Sequence, residues 1–134
     1  MIGLLIVTHG EIGSSLLDSA AQILGSRPLQ VSTLSVWRQD DPDDLVLRAR
    51  EMMEQIDAGD GVLILTDLFG ATPGNVVSKL LEDGRVEGVS GVSLPMLLRV
   101  LTSRNGSIAA AVQRALSGGT EGLVHMNTDR CCDA

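Results

Sequence analysis

The chain has 134 residues, a net charge of −7 and 44% apolar residues, with one Phe, one Trp and no Tyr. An acidic chain almost without aromatics is unsuited to nucleic acid, which is bound by Lys and Arg against phosphates and by aromatic stacking platforms. No segment reaches the roughly 18 apolar residues that cross a bilayer, and no basic region precedes the first apolar run, so the chain reads as a cytoplasmic protein, one domain over residues 1–134.

Residues 1–8 form a nearly continuous apolar run, the pattern of a strand buried on both faces. Over residues 14–24, Leu16, Leu17, Ala20, Ala21, Ile23 and Leu24 fall on one helical face, and Gly25 is the stop. Residues 29–36 alternate and read as a second strand. Asp41-Pro42-Asp43-Asp44 is a helix start, with Asp41 as the N-cap, Pro42 in the first turn and acids near the positive end of the helix dipole. That helix is expected to reach about residue 58, where Gly59 follows. Residues 61–66 are a third apolar strand. Thr72-Pro73 repeats the cap-then-proline signature, and a helix is expected to about residue 82. Residues 85–92 read as a weaker fourth strand, interrupted by Gly88 and Gly91. Residues 93–101 and 107–116 read as helices, and 122–127 as a last short strand.

This alternation predicts an α/β fold: a mostly parallel sheet, helices on both faces and right-handed crossovers. Met52, Met53 and Met96 read as core packing. Arg99 and Arg104 read as surface charges at helix ends, and His125 as a surface residue. Cys131 and Cys132 are adjacent, which disfavours both a bridge and a metal framework.

Ligands of open parallel sheets bind outside the carboxyl ends of the strands. Thr8-His9-Gly10 follows the first strand, Trp37-Arg38-Gln39 the second, Asp67-Leu68-Phe69-Gly70-Ala71-Thr72 the third, and Ser93-Leu94-Pro95 the fourth. If the first and third strands are neighbours, His9 and Asp67 face each other. A carboxylate that accepts from Nδ1–H fixes the imidazole tautomer and leaves Nε2 as a nucleophile. Helices beginning near Gly13-Ser14 and at Thr72-Pro73 would aim anion-binding N-termini at the same place. Taken singly these residues are ordinary: a hydrogen-bonded loop histidine, an aspartate after a strand, a helix start. Their convergence points to phosphoryl transfer onto histidine. Trp37 is a contact residue beside that site or a packing residue.

The blocks GLLIVTHGEIG, VLILTDLFGATPGN and GVSGVSLPMLLR, in this order and over nearly the whole chain, resemble the mannose-type enzyme IIA component of the bacterial phosphoenolpyruvate-dependent sugar phosphotransferase system. The resemblance implies that His9 accepts a phosphoryl group from the phosphocarrier protein HPr and passes it to a IIB component. It implies that Asp67 orients His9 and that Thr72, with Gly10, Gly70 and Ala71, holds the phosphoryl group. It further implies a four-stranded parallel sheet in order 2-1-3-4. A short C-terminal antiparallel strand would be exchanged within a homodimer. No cofactor or metal is implied, and membrane contact would be only indirect, through a permease complex.

The chain departs from the family's pattern at three places. Ser93 stands where Asn is common, Ala71 where a second glycine is frequent, and the loop Trp37-Arg38-Gln39 is unlike the usual one. Trp37 and Ser93 are therefore the candidate partner contacts. Two other readings fit parts of the pattern. One is a regulatory phosphorylation-state sensor without sugar transport. The other is a metal-binding domain of tetrapyrrole-chelatase type, which needs further His or acidic ligands at the same edge.

Overall fold

Successive side chains of a strand point to opposite faces of a sheet, so an unbroken apolar run needs a core on each side. The computed structural model, which describes residues 1–127, shows this arrangement. Its elements are β1 (Gly3–His9), α1 (Ile12–Leu24), β2 (Val31–Val36), α2 (Pro42–Ile56), β3 (Val62–Thr66), α3 (Thr72–Ser78), β4 (Val86–Ser90), α4 (Leu94–Leu101) and α5 (Ile108–Glu121). The sheet is parallel, in order β2-β1-β3-β4. Leu4 and Ile6 of β1 join Leu63 and Leu65 of β3 in one core, closed by α1, α4 and α5 through Leu17, Leu97 and Ala115. Leu5 and Val7 join Val62 and Ile64 in the other, closed by α2 and α3 through Leu45, Ala49 and Val76. These eight strand residues are fully buried. Each contributes about 1.5–3 kcal/mol by leaving water.

The chain leaves β1 toward β2 on one side and leaves β3 toward β4 on the other. The carboxyl ends of β1 and β3 are therefore neighbours from which the connections diverge, the switch point of such sheets.

α2 starts as expected, with the Asp41 carboxylate accepting from the Asp43 N–H at 3.0 Å. It closes at Ile56 because Asp57 turns its carboxylate to the Gly59 and Gly61 N–H groups, at 2.8 and 3.2 Å, and to Arg85 at 2.7 Å. Several expectations are corrected. Thr72 is the first helical residue of α3 and Ala71 its cap; the helix ends at Ser78 rather than near residue 82, where Glu82 instead bridges to Val86. α5 runs through Gly118-Gly119 to Glu121 rather than stopping at 116. A Cβ added at Gly118 would sit 3.0 Å from Arg99 Cβ and 3.2 Å from Met96 Cα, so this glycine is a close-packing residue that lets α5 settle on α4. Arg104, finally, is not a surface charge. It is 6% exposed, and its guanidinium donates to the carbonyls of Leu29, Ile2 and Gln30 at 2.7, 3.2 and 3.3 Å. Charge-assisted bonds of this kind contribute about 1.5–3 kcal/mol each, and here they tie the α4–α5 loop to the residues that lead into β1 and β2.

The short strand expected over residues 122–127 is not formed within the chain. After α5 these residues are irregular, with Leu123, Val124 and Met126 exposed, as is His125. Cys131 and Cys132 lie outside the described residues. Among the described residues no helix is long and apolar enough to cross a membrane.

Candidate active site

β1 is a buried post that delivers His9 to the sheet's carboxyl edge, where its side chain is 47% exposed. Just below it, buried Thr8 accepts the Gly13 N–H on its Oγ1 at 2.8 Å and so fastens the first turn of α1 to the strand end. Gly10 adopts φ +48°, a left-handed conformation natural to glycine, and its N–H donates to the Val36 carbonyl at 2.9 Å.

Asp67 approaches from the end of β3, with its side chain only 12% exposed. A single oxygen, Oδ2, accepts twice from the same residue: from the His9 backbone N–H at 3.0 Å and from Nδ1 at 2.9 Å. An ionised carboxylate can only accept, so Nδ1 carries the proton and the lone pair of the neutral ring belongs to Nε2. The other oxygen, Oδ1, faces the Thr66 hydroxyl at 3.5 Å. Burial pushes the Asp67 carboxyl up, but the bonds from the ring and backbone of His9, with electrostatic attraction between the two groups, outweigh burial and hold the carboxyl below its ordinary value of 3.8.

The loop after Asp67 bends at Gly70, φ +86°, and delivers exposed Thr72 to the start of α3 on the same edge. No side chain caps α3, so its first-turn amides are not claimed by one. Trp37 lies at this edge too. It is 48% exposed, and a Cβ added at Gly10 would sit 3.3 Å from its Cη2 and Cζ3 atoms. Ser93 is used differently: its hydroxyl accepts the Met96 N–H at 3.3 Å and caps α4. Leu68 and Phe69 stand exposed in the loop beside Asp67, Phe69 at 81%, a feature that the loop's sequence does not by itself announce. The available signal was two large apolar residues, one of them the only Phe, in a stretch of turn residues. Among the described residues no three His, Cys, Asp or Glu side chains gather as a metal site.

A family model described as "PTS system fructose IIA component" matches residues 3–116, a span that holds His9, Asp67 and Thr72. The chain belongs to this family. The chain is 30% identical over 125 residues to the mannose-specific EIIAB component of the phosphotransferase system (PTS) in Escherichia coli strain K12, which covers 91% of this chain and 38% of that protein. It thus spans well under half the length of that relative. It is also 30% identical over 105 residues to the PTS fructose-specific EIIA component of Bacillus subtilis strain 168, covering 78% of this chain and 71% of that one. The crystal structure of the phosphotransferase system component EIIA from Streptococcus agalactiae superposes with a TM-score of 0.84 at 28% identity, over 96% of this chain and 99% of that one. The fold and the sheet order are those of a IIA component of the mannose and fructose type.

Proposed function

We propose that this IIA component is a phosphohistidine carrier that accepts a phosphoryl group from HPr on Nε2 of His9 and passes it to a IIB component. The double acceptance by Asp67 Oδ2, from His9 N–H and from Nδ1, is the observation that carries the reading. That geometry commits Nδ1–H and leaves Nε2 with the nucleophilic lone pair. In the step, the Nε2 lone pair bonds to phosphorus while the P–N bond to the donor's histidine breaks, and the donor imidazole departs with that electron pair. The proton stays on Nδ1 of His9, and the Asp67 carboxylate offsets the positive charge that grows on the ring. The transition state is loose, so position and charge do most of the catalysis. Thr72, with the backbone at Gly10, Gly70 and Ala71, holds the phosphoryl oxygens. Discharge to IIB is the same exchange with the roles of donor and acceptor reversed.

The name of the E. coli relative, an EIIAB component, supports a IIB acceptor. The carrier works as one domain in the cytoplasm, reaching the membrane only through a permease complex. It pairs as a homodimer by exchange of residues 122–127. Support for this comes from the edge position of β4 and from the exposed apolar Leu123, Val124 and Met126 beyond α5.

The test is incubation with phosphorylated HPr. The chain is expected to gain one acid-labile phosphoryl group and to lose it on addition of a IIB component. A chain that gains none overturns the proposal.

A further inference from the structure

Trp37 stands in the loop between β2 and α2, and its surroundings give it a use. Its backbone is held in a tight turn: the Trp37 N–H donates to Asp40 Oδ2 at 2.8 Å, and the Asp40 N–H donates back to the Trp37 carbonyl at 3.0 Å. The preceding residue, Val36, pairs with His9 in the β1–β2 register and accepts the Gly10 N–H at 2.9 Å. The far edge of the indole then lies over Gly10, close enough that a Cβ there would meet Cη2 and Cζ3 at 3.3 Å. Gly10 is the left-handed residue on which the chain turns directly after His9. One side of the His9 backbone is fixed by Asp67. The other is bounded by Gly10, whose freedom of φ is the widest of any residue. A ring pressed on Gly10 from a braced turn restricts that freedom.

We infer that Trp37 is a positioning residue for phosphoryl transfer, holding the His9–Gly10 turn so that the ring of His9 stays in register with Asp67. This rests on the reading of His9 as the acceptor. The ring is half exposed, so the rival use is a docking contact for the donor protein, and the two uses have different kinetic signatures. A misplaced acceptor lowers the rate within the complex, whereas a lost docking contact weakens the complex.

The experiment measures phosphoryl transfer from phosphorylated HPr over a range of HPr concentrations, for wild type, Trp37→Ala and Trp37→Phe. For Trp37→Ala we expect kcat to fall about tenfold or more, since small misplacements cost up to roughly a hundredfold, with KM within about twofold. Trp37→Phe is shorter and lacks the far-edge atoms Cη2 and Cζ3 that lie over Gly10, so it is expected to recover no more than part of the rate. Nitrogen NMR of His9 should show the Nδ1–H tautomer in wild type, with tautomers mixed in Trp37→Ala. A raised KM with unchanged kcat, an unchanged rate in Trp37→Ala, or a full wild-type rate in Trp37→Phe would each overturn the inference. Absence of label on His9 in the wild type would instead remove the reading beneath it, so the two failures are distinguishable.

Discussion

Replacing His9 with Ala is expected to abolish phosphoryl uptake from HPr while leaving the fold in place. The side chain is half exposed and makes one hydrogen bond through Nδ1, so its removal costs about 1 kcal/mol of stability. Asp67 keeps the His9 backbone N–H as a donor in the variant, because that bond does not depend on the ring. The effect on transfer is total for a chemical reason: on the proposed reading the phosphoryl group is carried on the His9 imidazole, which the variant lacks. The checks are acid-labile label on the protein and a thermal melt. Label retained by His9→Ala would place the carrier residue elsewhere.

The second large effect is expected at Asp67. Replacement with Ala removes the acceptor of Nδ1–H, frees the tautomer and leaves the ring's growing charge without an offset. The expected result is transfer slowed by roughly a hundredfold, the scale of a lost orienting and charge-stabilising group. Asp67→Asn separates the two roles. Its amide oxygen can still accept from Nδ1–H, but it carries no charge, so the rate should fall between wild type and Ala. Transfer at the wild-type rate in the Ala variant would remove Asp67 from the mechanism.

Asp67 also leaves a signature in stability against pH. Its carboxyl is held below its ordinary value in the folded protein, so folding favours the ionised form. The stabilisation is fully present above the unfolded value near 3.8 and is lost as pH falls through the lower folded value. Denaturant midpoints from neutral pH to below 3.8 should fall more steeply for wild type than for Asp67→Asn.

Much of this site was legible in the sequence because local signals placed it. The apolar runs of β1 and β3 are covered on both faces, a pattern that specifies buried parallel strands, and His9 and Asp67 follow those runs directly. Their meeting depends on strand order, which is a long-range property that no local pattern contains. At Gly118 and Arg104, tertiary contacts override the local signal. Gly118-Gly119 looks like a helix stop and is instead a place where α5 packs closely on α4. Arg104 looks like a solvated charge, yet the carbonyls of Ile2, Leu29 and Gln30 draw it inward. Thr72 looks like a cap and is the first helical residue, which leaves its hydroxyl out of the capping role. The contact of Trp37 with Gly10 joins two loops far apart in the chain, so only the folded arrangement reveals it.

If Asp67 commits Nδ1 of His9, the phosphoryl group is directed to Nε2. Phosphorus and nitrogen NMR of the phosphorylated chain, labelled in histidine, tests it most directly. The expected product is a phosphohistidine bonded through Nε2, with Nδ1 protonated and hydrogen-bonded. A phosphoryl group on Nδ1, or on any residue other than His9, would contradict it.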